Sequence, residues 1–415
     1  MTIITTAAEC AADTPALPIG LARLSKLAFD GHDLAPLADE LSARALAVPA
    51  DPAALMDLSI IAQLSGRRDD RVRLQMGALS LQRIYRQPAH AGGRLRLLAF
   101  MAPGDFLANT PLEFMLQDTN VTLDMVYVVP GWPLPQPLPT HDVAIVAATE
   151  LAENRAVLDQ LATILPTWPR PVLNAPGHIA RLTRDGAWAL LHAVPGVVYP
   201  ANVRIGRAQL AALGLGTTNI TEALGFEFPI IVRPVDSHAG HGLARIDEAS
   251  AIDAYLNDKL VPEFFVAPFV DYCGPDGLYR KYRIALIGGR PYACHMAISR
   301  HWMIHYLNAG MLESAEKRVE EAQFMAEFDN DFAQRHGAAL AGLAERIGLD
   351  YVTMDCAETR DGRLLVFEVG NGMIVHAMDP PGLFPYKAPQ MRKVFGAFEA
   401  MLRNASATRR PATAA

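Results

Sequence analysis

From residue 15 to about residue 90, apolar side chains recur every three or four positions. LARLSKLAF, DELSARALAV, PAALMDLSIIAQLSG and RVRLQMGALSLQRIYRQ each carry such a stripe, which predicts helices with one buried face. Pro52 opens the third and Gly66 closes it, the order that helix ends favour. The last two segments read as a helix pair of tetratricopeptide type. One such unit is too few for a solenoid. It is expected to dock on its neighbour or on a partner, a second copy of the chain included.

At Arg94 the period changes. RLRLLAFMA, VTLDMVYVV, HDVAIVAA and PVLNAP are short apolar runs, with the helical segments NTPLEFMLQ and ELAENRAVLDQLATIL among them. That alternation predicts a parallel sheet covered by helices, a Rossmann-like α/β domain. GWPLPQPLPT reads as a loop, and no GxGxxG follows the first strand, so a dinucleotide fingerprint is absent. Beyond Arg181 a helix at GAWALLHAV, the strand IIVRP, a small-residue loop, a helix at EASAIDAYLNDKL and two hairpins predict an α+β region. The tail ASATRRPATAA is low in complexity and reads as disordered. The expected division is helical residues 1–90, α/β residues 91–180, α+β residues 181–400 and a tail at 401–415.

Composition narrows the partners. A chain of 415 residues, 51% of them hydrophobic, can bury two or three cores. Its net charge of −7, with no basic run interleaved with aromatics, argues against nucleic acid as a partner. Cys10, Cys273, Cys294 and Cys356 form no CxxC pair and read as reduced thiols, which suits a cytoplasmic protein. The amino terminus lacks a basic region before an apolar one, and no run approaches the roughly 18 apolar residues of a span, so neither export nor membrane insertion is expected.

The chemistry concentrates in three stretches. IIVRPVDSHAGHGLARI, from Ile230 to Ile246, ends a strand in Arg233 and follows it with small residues, an arrangement suited to phosphate. In YVTMDCAETRDGRLLVFEVGNG, Asp361-Gly362 predicts a two-residue turn that pairs Arg360 with Arg363 and, counting outward, Asp355 with Glu368. Opposed residues have Cβ atoms only about 5 Å apart, so two carboxylates there repel unless a cation lies between them. Mg2+ suits such hard oxygens, with Asn371 available downstream. The alternative is that one acid faces solvent, and a one-residue slip would separate the pair. In LYRKYRIALIGGRPYACHMAIS, a turn at Gly288-Gly289 puts Lys281 and Arg283 on one strand face and Arg280 and Tyr282 on the other. The first two suit phosphate oxygens or a solvated face.

The order of these parts resembles the ATP-grasp superfamily, in particular its RimK-like carboxylate-amine ligases, over roughly Arg181 to Lys393. The α/β stretch before it looks like the pre-ATP-grasp domain. The resemblance implies ATP held between two α+β subdomains, and a carboxylate activated as an acyl-phosphate that an amine attacks. It places Arg233 on the ATP phosphates, Ser237, His238, Gly240 and Gly242 in the phosphate lid, and the backbone of Ala267 and Phe269 at the adenine edge. Asp271 would meet the ribose, Arg283 the γ-phosphate and acyl-phosphate, and Asp355, Glu368 and Asn371 the magnesium. Two departures stand out: EVGN carries one residue more than the usual ExN, and Arg184 replaces an early lysine.

Other signals carry less. His301 and His305 in HWMIH have zinc-helix spacing, but Trp302 stands where the glutamate is required. His305 and Asn308 could instead border an acceptor pocket, and His376 could face substrate or satisfy a core hydrogen bond. The reading is an Mg-ATP-dependent ligase joining a small carboxylate to an amine, such as an amino acid or peptide. Phosphoryl transfer to an alcohol, ester formation and a non-catalytic nucleotide-binding module are the alternatives.

Overall fold

The computed structural model describes residues 15–89, 94–235, 237 and 240–408, and the chain divides into two compact units. Residues up to 148, with 159–173 and the last residues from 402, form unit 1; residues 149–158 and 174–401 form unit 2.

Unit 1 begins with helices α1 (Leu21–Phe29), α2 (Ala35–Ala45), α3 (Pro52–Leu64) and α4 (Arg68–Leu81). The third starts where the sequence indicates: the Asp51 carboxylate accepts the amides of Ala53 and Ala54, with Pro52 in the first turn. The fourth stops earlier than its apolar stripe suggests. Gln82 is extended, and its side-chain oxygen accepts the amides of Arg83 and Ile84. IYRQ, expected to be helical, is therefore strand β1 (Ile84–Gln87). Buried Ile84 and Tyr85 and a two-pronged Arg86–Asp124 ion pair at 2.7 and 2.9 Å hold it on the sheet.

That sheet also contains β2 (Leu95–Met101), β3 (Val121–Tyr127), β4 (Val143–Val146) and β5 (Val172–Leu173), in the order β1-β3-β2-β4-β5. All its pairings are parallel except β1 with β3. The four predicted parallel strands are present, and the fifth comes from sequence assigned to the helical segment.

Unit 2 contains β6 (Val197–Val198), β7 (Val203–Gly206), β8 (Ile230–Pro234), β9 (Ala244–Ile246) and β10 (Glu263–Pro268), then β11 (Tyr279–Ile287), β12 (Arg290–Ser299), β13 (Tyr351–Glu358) and β14 (Leu364–Gly370). An antiparallel sheet β7-β10-β8-β9 packs Ile205, Val232 and Phe264 against Leu210, Leu213 and Ile252 of helices Arg207–Gly214 and Ala251–Asp258. A second sheet runs β12-β11-β13-β14-β6. Unit 2 thus contains two separate sheets. The final helix spans Lys387–Ala407, so the segment taken as a tail from residue 401 begins in helix; residues 409–415 lie outside the described residues.

The two hairpins differ in how they turn. Ile287 pairs with Arg290 across Gly288-Gly289, both at positive φ (56° and 76°), the predicted two-residue connection. At the other, the Thr359 amide donates to the Arg363 carbonyl, leaving a three-residue loop, Arg360-Asp361-Gly362, with Gly362 at φ 77°. Cys356 then pairs with Val366 and Asp355 with Glu368, so one extra residue, Phe367, bulges from β14. The loop differs from the predicted turn by one position and the bulge restores it. The opposition of Asp355 and Glu368 is therefore as counted, by a different route.

Candidate active site

Four strands place one polar residue each in a single row. His295 pairs with Arg283, Arg283 with Asp355 and Asp355 with Glu368, across β12, β11, β13 and β14. Directly paired residues share a sheet face. Lys281, two residues from Arg283, shares that face as alternation requires. Lys281 Nζ lies 2.9 Å from Asp355 Oδ2, and the Arg283 guanidinium grips both Asp355 oxygens at 2.8 and 3.1 Å while donating to the Ile374 carbonyl at 2.9 Å. Arg280 points away, to Asp276 and Glu320.

Burial alone would raise the Asp355 pKa. The charges of Arg283 and Lys281 and the arginine hydrogen bonds outweigh it and hold the acid well below the usual carboxylate range. His295 is also lowered, by burial first and then by the charges of Arg283 and Lys387, which favours its neutral form. Its Nδ1 has no hydrogen-bond partner among the described residues, and its ring lies 4.7 Å from that of Tyr306.

Glu368 is more open, its side chain 39% exposed, and takes Arg184 Nη2 on Oε1 at 2.8 Å. Arg184 begins the helix Arg184–Leu191, behind the Thr183 cap. Beside them is a residue the sequence reading passed over. A Cβ on Gly370 would lie 3.1 Å from Glu150 Oε1, so only glycine lets that acid in without displacement. Burial, and then Glu368, push Glu150 up to about 7, and its Oε2 has no partner among the described residues. Asn371 follows β14 and is fully buried. Among the described residues no three His, Cys, Asp or Glu side chains group as metal ligands. The opposed acids are thus a pair rather than a cage, with both Asp355 oxygens taken by Lys281 and Arg283 and Glu368 Oε1 by Arg184.

Arg233 projects from β8, where burial lowers its pKa to about 10 and both Arg184 and Glu368 act on its charge. Its Nε donates to Ser237 Oγ at 3.1 Å, and Ser237 Oγ donates to the Pro234 carbonyl at 2.8 Å. Gly240 and Gly242 have positive φ, 75° and 67°, as a tight small-residue loop requires. His238, assigned to the same loop, lies outside the described residues.

The residues expected at the adenine edge and the ribose have partners within the chain. Ala267 pairs with Ile231 in the ladder, and the Phe269 amide already donates to the Pro229 carbonyl at 2.9 Å. Arg245 lies over the Phe269 ring, 4.2 Å from its centroid. Asp271 accepts the Cys273 amide at 3.0 Å and pairs with Arg360 at 2.8 Å. The Phe269 N–H and the Asp271 carboxylate are thus committed within the chain, because β10 closes its ladder and the β13–β14 loop carries a cation.

HWMIH is not helical. Ile304 packs into the core, and the His305 amide donates to Asn308 Oδ1 ahead of a short 3-10 turn at Tyr306–Asn308. Burial, then the charges of Lys281 and Arg283, lower the His305 pKa. His376 Nδ1 accepts the Met378 amide at 3.1 Å, the core role considered for it. A buried network unseen in the sequence joins Lys387 to Glu321 (3.3 Å) and Asp379 (3.1 Å), with the Tyr386 hydroxyl on Glu321 at 2.6 Å.

No family model matches the sequence. Among solved structures, the chain is similar to a RimK domain ATP-grasp protein from Sphaerobacter thermophilus (15% identity, TM-score 0.41, covering 74% of this chain and 99% of that one). It is also similar to the VanG D-Ala:D-Ser ligase of Enterococcus faecalis (12%, 0.44, 76% and 99%) and to a D-alanine–D-alanine ligase of Bacillus anthracis complexed with ATP (12%, 0.41, 75% and 96%). At these TM-scores the likenesses carry no weight for function.

Proposed function

We propose that the chain is a cytoplasmic, Mg-ATP-dependent ligase that joins a small carboxylate to an amine. The observation behind this reading is the row Arg283–Asp355–Glu368, with Arg184 on Glu368 and Arg233 on the neighbouring sheet. Three arginines converge on an opposed acid pair, an arrangement suited to phosphate oxygens and a divalent cation.

The donor chemistry fits magnesium. Asp355 and Glu368 offer hard oxygens, the buried Asn371 an amide oxygen, and phosphates complete such a set. When bound, the ion neutralises phosphate charge. The protein's own part is positioning. Lys281 and Arg283 keep Asp355 ionised and fixed, so no proton has to leave before it binds a cation. Arg184 orients Glu368. Arg233, braced by Ser237, would present its charge toward the transferring phosphoryl group.

The test is ADP release from purified protein with Mg-ATP and pools of amino acids and small peptides, with products weighed by mass spectrometry. ADP formation that requires both a carboxylate and an amine, and a product heavier by their condensation, is the expected result. A stable phosphorylated alcohol would reassign the reaction, and nucleotide binding without turnover across the pools would leave a binding module.

A further inference from the structure

Unit 1 holds a cavity outside the ion row, walled by α3 and α4, by β2 and β3, and by the loop that follows β2. It leaves about 70 Å³ for the centres of water-sized spheres, room for about five waters or about 150 Å³ of liquid. That is the bulk of a molecule of about ten heavy atoms, and it is too large for a packing defect.

The lining is built to a pattern. Met56, Met101 and Met125 supply an apolar, adaptable surface. The hydroxyl of Tyr85, a fully buried residue that lines the cavity, has no hydrogen-bond partner among the described residues. A buried hydroxyl left in that state costs stability, which a bound polar group would return. Arg71, also on the lining, makes no ion pair among the described residues. Carboxyl groups come from Asp105 and Glu113. Glu113 is fixed by the Ala22 amide at 3.1 Å, and a Cβ on Gly20 would meet its Oε2 at 2.4 Å, so the backbone at Gly20 packs directly on that acid.

We propose that this cavity binds a free α-amino acid with an apolar side chain of about leucine size. Its carboxylate meets Arg71, its ammonium the Glu113 and Asp105 carboxyls, and its polar end the Tyr85 hydroxyl, while the side chain lies among the methionines. The site is independent of the ligase reading, because it involves none of the residues of the ion row.

L-leucine and L-methionine, added to the full chain without nucleotide, serve as probes in calorimetric titration and thermal unfolding. Saturable binding is expected, about tenfold weaker in Tyr85→Phe and in Arg71→Gln, and absent for 4-methylpentanoate and for 3-methylbutylamine, which each lack one charged end. Tyr85→Phe removes only an unpartnered hydroxyl, so without ligand it should melt no lower than the parent. A reduced response to leucine therefore reports lost binding and not lost folding. Absence of saturable binding at millimolar leucine and methionine, or binding that both variants leave intact, would overturn the proposal. So would equal binding of the amine-free or carboxyl-free probe.

Discussion

Replacing Asp355 with asparagine tests how firmly the ion row is held. The carboxylate takes bonds from Lys281 at 2.9 Å and from Arg283 at 2.8 and 3.1 Å, and its side chain is only 8% exposed. Asparagine keeps the shape and removes the charge, leaving two cations side by side with little water to screen them. Removing one partner of a buried ion pair costs about 3–5 kcal/mol, most of it from the charge left behind. Lys281→Met alone leaves Arg283 still paired and should cost less. The double variant should fall short of the sum by about 1–3 kcal/mol, since the methionine removes one of the two stranded cations. Urea denaturation at neutral pH reads this as midpoint shifts at constant slope. A loss below about 1 kcal/mol in Asp355→Asn, or additivity within about 0.5 kcal/mol in the double variant, would mean that the row is loosely solvated and does not preorganise the acid.

Three further outcomes follow from other parts of the molecule. Glu368→Gln should lower turnover at least about a hundredfold in the ADP-release assay while shifting the urea midpoint little, because the acid's pairing with Arg184 is partly exposed. Glu113→Gln should alter the pH dependence of stability: burial, with Asp57 adding, lifts this acid from 4.5 to about 7 against its amide bonds. The folded chain therefore holds a proton that the unfolded chain has released, so the contribution is full below pH 4.5 and is lost as pH rises toward 7. Parent minus variant should fall by about 3 kcal/mol across that window, and a flat difference would refute the assignment. Gly362→Ala places a side chain at φ 77° in an open loop and should cost about 1 kcal/mol by chemical denaturation; no loss would argue that the loop relaxes.

Local signals carried much of this architecture. Short apolar runs marked β2, β3 and β4, Pro52 marked the start of α3, and Gly288-Gly289 marked a turn of two positive-φ residues. What was missed depended on distant partners. Ile84 and Tyr85 continue a helical stripe in sequence and become a strand because β3 offers an open edge and Asp124 a partner for Arg86. Glu150 reaches Gly370 only through the path of the whole chain, so no spacing rule could have found it.

Irregular ladders show why spacing rules work at some positions and fail at others. Counting from Gly288-Gly289 puts Cys294 opposite Arg283, but the register shifts between Arg283 and Ile284 and brings His295 there instead. A shift of one residue exchanges a buried thiol for an imidazole at the end of the ion row. On β14 the same kind of irregularity acts in the opposite sense, because the bulge at Phe367 cancels the longer loop and leaves Asp355 facing Glu368. Each bulge lies where a charged row crosses an otherwise apolar sheet. A bulge shifts every pairing beyond it by one residue. The row is therefore set by where the ladders slip as much as by sequence spacing. Deleting Phe367 would join Val366, opposite Cys356, directly to Glu368, which then stays opposite Asp355; turnover should survive in a chain that still folds, and its loss would show that the bulge itself aims the glutamate.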